Sequence, residues 1–155
     1  MDPDDELLSN LDEALIGIRL MLNRPAFGQQ LLEGLDFAGG IAGLRVLRVT
    51  ERLSRNQVVP SIRDIAEELA VEHSTASRAV DSVVKAGLLR KSACDDDLRR
   101  ANLKLTDEGR AVLAQVTARR QAHLERATAN WSDKDALLLT ELLNRLQSDF
   151  VDETP

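Results

Sequence analysis

Hydrophobic positions recur at three- and four-residue steps along most of the chain, and one stretch breaks that rhythm. Leu7, Leu8, Leu11, Leu15, Ile18 and Leu22 mark Asp5–Asn23 as an amphipathic helix. Arg24-Pro25 ends it, because proline disfavours helical geometry in the residue before it. A short helix over Ala26–Leu35 follows. Asp36 is then a candidate N-cap for a helix from Phe37 to Ser54, with Ile41, Leu44, Leu47 and Leu53 on its core face. Gly39, Gly40 and Gly43 each cost a helix about 1 kcal/mol against alanine. Either its first turns are irregular, or small residues there let another backbone approach closely. Arg55-Asn56-Gln57 is a polar break, and Val58-Val59-Pro60 is a candidate short strand. Ser61 caps Ile62–Ala70, whose inner face holds Ile62, Ile65, Ala66 and Leu69.

The connection Val71–Ser74 leads into a helix over Ser74–Ala86. Ala76, Ala79, Val80 and Val83 face inward there, and Ser74, Thr75, Ser77, Arg78, Asp81, Ser82 and Lys85 face out. Gly87 closes this helix as its C′ residue. The period then changes. Two β-like runs, Leu88–Ala93 and Ala101–Leu105, flank a charged tip that carries Asp97-Leu98-Arg99-Arg100. Thr106 caps a long helix to about Asn130, with Asp107 and Glu108 in the first turn where the helix dipole favours carboxylates. Ser132 caps a last helix with Leu137, Leu138, Leu142, Leu143 and Leu146 along its apolar stripe. The predicted architecture is mainly α with a small β-wing, a winged helix-turn-helix flanked by N- and C-terminal dimerisation helices. Its parts are residues 1–35, residues 36–106 (recognition helix 74–86, wing 88–105) and residues 107–155.

Composition places this among soluble, folded chains: 155 residues, 43% hydrophobic and 30% charged. There is no 18-residue apolar run, and the N-terminus is acidic, so neither a membrane span nor a secretory signal is expected and the cytoplasm is the default. A single cysteine makes no internal disulfide. The net charge of −6 argues against nucleic acid until its distribution is considered. From His73 to Lys104 seven basic residues meet four acidic ones, so this segment carries +3 and the remainder −9. The first 13 residues hold six acidic side chains and no basic one. Acidic ends are repelled by phosphate, which directs any contact with DNA to the middle of the chain.

The chemistry of that middle fits DNA. Ser74, Thr75 and Ser77 are short donors and acceptors at the helix start, suited to phosphate oxygens and base edges. Arg78 is long enough for a bidentate contact with guanine N7 and O6, worth about 1–3 kcal/mol of discrimination. Asp97 and Arg99, two apart at the hairpin tip, can share a charge-assisted hydrogen bond that fixes the guanidinium before DNA arrives. Arg90, Lys91 and Arg100 are placed for phosphates. A helix in the major groove with a hairpin arginine in the next minor groove is the layout of a winged helix-turn-helix.

Ile62–Thr106 resembles the DNA-binding half of the MarR family of bacterial transcription regulators. The resemblance rests on Asp64-Ile65-Ala66 and Leu69, Ser74-Thr75-Ala76-Ser77-Arg78, Gly87-Leu88-Leu89-Arg90, Asp97-x-Arg99, and Leu103-x-Leu105-Thr106-x-x-Gly109. Two features depart from the family pattern: Glu72 stands where a small capping residue is usual, and the glycines of Gly39–Gly43 are atypical. The resemblance implies double-stranded DNA as partner, with Arg99 entering the minor groove. It further implies a homodimer built by the flanking helices, and a small aromatic or phenolic effector bound between arms and DNA-binding lobe. The leucine stripes of both ends support an interface on their own account, and a two-fold dimer would read a roughly palindromic site. For an effector carboxylate, Arg19 is the candidate, with Arg45 and Arg48 as alternatives.

An enzyme is not expected. The sequence has no glycine-rich phosphate loop, nucleophile–base pair or metal cluster, and its paired carboxylates lie in cap positions. No cofactor is expected. Cys94 has acidic neighbours that oppose thiolate formation and no second cysteine, so a redox role is not expected. His73 and His123 lack metal-site spacing. The competing reading is a winged-helix adaptor that docks on another protein without binding DNA. The hydroxyls and cations at 74–78 and in the wing favour DNA over an apolar docking surface.

Overall fold

The computed structural model describes residues 3–35, 37, 39–93 and 101–152. Its elements in order are α1 (Pro3–Leu22), α2 (Pro25–Leu32), α3 (Gly40–Arg55), α4 (Ile62–Leu69), α5 (His73–Lys85), β1 (Leu89–Ala93), β2 (Ala101–Leu105), α6 (Asp107–Ala127) and α7 (Asp133–Asp152). Residues 1–117 form one compact unit and residues 118–155 a second. In the first, α5 packs on α3 and α4, and the hairpin closes over them. Val46, Leu47, Ile65, Val80, Val83 and Leu103 are fully excluded from solvent at its centre. Leu113 and Val116 of α6 complete this core.

The break at Arg24-Pro25 is real: Arg24 is extended and Pro25 occupies the first turn of α2. The third helix differs from its expected start at Phe37. It begins at Gly40, which has a left-handed φ of +55°. The Phe37 ring folds back over the glycines, and a β-carbon on Gly39 or Gly43 would sit 2.6 or 2.9 Å from its Cζ. Gly43 also meets a Val83 methyl at 2.9 Å, so small residues here admit side chains of Phe37 and α5 rather than another backbone. The proposed cap, Asp36, lies outside the described residues.

The capping expected of Ser61 is present in full. Its Oγ accepts from Asp64 N, and Asp64 Oδ2 accepts from Ser61 N at 2.7 Å. Ser132 and Asp135 repeat the arrangement at the start of α7. The candidate third strand shrinks to one edge contact. Leu103 N donates to Pro60 O at 2.8 Å, and Ser61 bridges Asn102. Proline has no N–H to return, which limits the pairing.

Candidate nucleic-acid interface

Helix α5 exposes the face that its periodicity dictates. Ala76, Val80 and Val83 are buried at steps of four and three, which turns Ser74, Thr75, Arg78, Asp81, Ser82 and Lys85 to solvent and leaves Ser77 half-buried. Glu72 occupies the N-cap and makes no side-chain cap bond. At the other end Gly87 is left-handed, with φ +76°, and Leu88 N donates to Val83 O, so the helix stops sharply before β1. Arg78 Nε donates to Ser74 O at 3.3 Å, which lays the guanidinium along the helix towards its N-terminus.

The hairpin register decides which wing residues are free for a partner. Leu89 pairs with Leu105 and Lys91 with Leu103, and both leucines of β2 are buried, so Lys91 leaves the strand on the side that packs against the helices. Its Nζ is ion-paired with Asp81 Oδ1 of α5. Arg90 instead lies opposite Lys104, and both are exposed. Like charges face each other there without an acidic partner among the described residues, a pair that favours an incoming anion. Lys104 therefore joins the basic surface, a position that residue type alone did not single out. Among the described residues of 73–104, five cations accompany the single carboxylate Asp81.

The base of the wing is tied to α5 and α6 by Thr106. Its hydroxyl donates to Gly87 O at 2.8 Å and accepts from Gly109 N at 3.0 Å, while its own N–H donates to Leu88 O. A β-carbon on Gly109 would collide with that same Leu88 carbonyl. The Thr106-x-x-Gly109 spacing is thus both a helix cap and a joint between α5, the hairpin and α6.

The wing-tip residues Asp97, Arg99 and Arg100, with Cys94, lie outside the described residues. Arg19 is exposed in the last turn of α1, and Arg45 is exposed on α3. Arg48 is half-buried, with its Nη2 3.5 Å from Thr117 Oγ1. A cleft of about 440 Å³ is lined by Glu51, Ser54, Arg55, Lys104, Leu105 and Arg110, and none of the three effector candidates lines it. His73 is exposed at the start of α5, and His123 Nδ1 lies 3.0 Å from Arg126 Nη2. Among the described residues no group of three or more His, Cys, Asp or Glu could hold a metal ion, and no helix is long and apolar enough to cross a membrane.

Residues 43–100 match the family model of the MarR family. The HTH-type transcriptional regulator PecS of Dickeya dadantii is 29% identical over 87 residues, which cover 56% of this chain and 52% of PecS. The match thus spans about half the length of that curated relative. The transcriptional regulator BldR from Sulfolobus solfataricus superposes with a TM-score of 0.68 at 21% identity, covering 96% of this chain and 99% of that one. A MarR family protein from Bacillus stearothermophilus gives a TM-score of 0.78 at 15% identity, over 95% and 97% of the two chains. A mutant of S. aureus MepR bound to an oligodeoxyribonucleotide gives 0.59 at 18% identity, over 89% and 97%. At such identities the structures speak for the fold alone, and the family match covers α4, α5 and β1, with the exposed hydroxyls of α5 and the cations Arg78, Lys85 and Arg90, and ends before β2. Over residues 43–100 the chain is similar to the MarR family, and its fold is that of a mainly helical winged helix-turn-helix protein.

Proposed function

We propose that this chain is a dimeric, sequence-specific DNA-binding regulator, a repressor that releases a pseudo-palindromic operator when a small aromatic or phenolic effector binds. One observation carries the DNA reading: α5 presents Ser74, Thr75 and Arg78 on one exposed face beside a hairpin whose Arg90 and Lys104 also face solvent. Short polar groups at a helix start suit phosphates and base edges, and a guanidinium four residues on suits guanine. Arg90, Lys104 and, at the tip, Arg99 and Arg100 extend the contact, with Arg99 in the minor groove. The oligonucleotide-bound MepR structure supports DNA as partner for this fold. Arg19 is the proposed effector contact, on the ground that it is a cation in the last turn of an otherwise apolar-faced helix.

The test is fluorescence anisotropy with fragments from the region upstream of the chain's own gene, over a range of salt. Arg99→Ala is expected to weaken binding and lower the slope of log K against log salt by about one unit per lost phosphate contact. Arg78→Ala is expected to blur preference between related sites, by about 1–3 kcal/mol at one base pair. Unchanged binding in the first variant sinks the wing assignment. Equal loss on every sequence in the second counts against base reading. If the unaltered protein binds no fragment more tightly than random DNA, an adaptor role replaces this one.

A further inference from the structure

Arg78 and Asp81 are three residues apart on the exposed face of α5. Opposite charges at that spacing on a helix attract each other and pair. Such a pair would occupy the guanidinium that has to meet a guanine edge, and would leave a carboxylate facing phosphate. The structure arranges the charges differently. Asp81 is taken by Lys91, which reaches across from β1, and Arg78 has no acidic partner among the described residues. The reach is set by the fold: Lys91 leaves the strand on the side of Leu89 and Leu103, next to α5, and its side chain is only 31% exposed.

We propose that Lys91 is a specificity-determining residue that acts through Asp81: by holding that carboxylate it keeps Arg78 free to read a base. This rests on the DNA reading above. It also assigns Lys91 a role different from that of a phosphate contact. A lysine committed to a neighbouring carboxylate has little charge left for DNA, and its removal acts on the wrong-site to right-site ratio more than on overall affinity. Asp81, a liability for overall affinity on a DNA-facing helix, harms base reading only when Lys91 is lost.

Two measurements on the full chain test this. The first is the ratio of affinities for the preferred site and for a site altered at the base pair whose readout Arg78→Ala abolishes. Lys91→Gln is expected to shrink that ratio about five- to a hundredfold, as far as Arg78→Ala does, and Lys91→Gln with Asp81→Asn to restore it. Asp81→Asn alone leaves the ratio intact and raises affinity for all sequences, because Lys91 is released to the phosphates. Loss of affinity by the same factor on every sequence in Lys91→Gln, with the salt slope lower by about one and no rescue by Asp81→Asn, overturns the proposal in favour of a direct phosphate contact. The second measurement needs no DNA, so it separates this proposal from the DNA reading. The Arg78 Nε–H resonance in the NMR spectrum of the free protein is expected to shift in Lys91→Gln as Asp81 moves onto Arg78, and to return in the double variant. A resonance unmoved by Lys91→Gln also overturns the proposal.

Discussion

Ala70 sits in the turn of the helix-turn-helix with φ 51° and ψ 49°. A β-carbon in this left-handed region costs about 1–2 kcal/mol, which glycine escapes. Two residues later, Glu72 fills a capping position without making the capping bond. Both weaknesses lie where α4 hands over to α5, so the lead-in to α5 is held more by burial of Ala66 and Ala76 than by local preference. Ala70→Gly is expected to stabilise the protein by about 1 kcal/mol, and Glu72→Ser by about 0.5–1 kcal/mol through a new cap. Urea unfolding followed by circular dichroism checks both, and a lowered midpoint in either variant contradicts the stated cause. The poor cap was legible in the residue type of Glu72. The left-handed Ala70 was not, because alanine carries no signal of the turn it is forced to make. The partner of Lys91 was equally hidden. Residue type points a lysine in a wing at phosphate, and only the register opposite Leu103 turns it towards Asp81.

Elements whose signal is local were readable, and those shaped by a distant contact were not. Ser61, Thr106 and Ser132 cap the helices expected of them, because a cap needs only a hydroxyl and the N–H three residues on. The inward face of α5 followed from its period. The start of α3 did not, since it is the Phe37 ring packing over Gly39 and Gly43 that keeps Phe37 out of the helix. Thr106 and Gly109 combine the two cases: the cap was legible, the joint with Gly87 and Leu88 was not. Thr106→Val keeps the shape of a 7% exposed side chain but strips its hydroxyl, leaving Gly87 O without that donor and Gly109 N without that acceptor. The expected cost is about 1–3 kcal/mol. Gly109→Ala, which drives a methyl into the Leu88 carbonyl, is expected to cost about as much, ~1–3 kcal/mol. Thermal unfolding measures both. If Thr106→Val unfolds like the parent protein, the hydroxyl does not hold the base of the wing.

At the scale of the whole molecule, apolar surface is the quantity left unbalanced. Leu7, Leu8, Leu11, Ile18 and Leu20 on α1 are between 46% and 67% exposed, and on α7 Leu137, Leu138, Leu142 and Leu143 are between 42% and 65% exposed. Soluble proteins rarely leave stripes of this kind in water, so each helix needs a cover. A second copy supplies one under the dimeric reading and places two recognition helices on one duplex. The acidic residues of the first helix agree with this division of labour: an arm that meets protein gains nothing from cations, and its charge keeps it off the phosphates. Leu11→Glu and Leu138→Glu test the two stripes separately. Each removes about 1.5–3 kcal/mol of side-chain burial and asks a carboxylate to leave water, so the dimer dissociation constant should rise at least about tenfold per substitution. Sedimentation velocity over a concentration series reads that change, and circular dichroism confirms that the helices persist. Because two linked half-site contacts bind far more tightly than one, operator affinity should fall in step with dissociation while the salt slope of the residual monomer binding is about halved. A parent protein that sediments as a monomer at tens of micromolar, yet binds a palindromic site with the full slope, would mean that the stripes have another partner and that the duplex itself brings the two copies together.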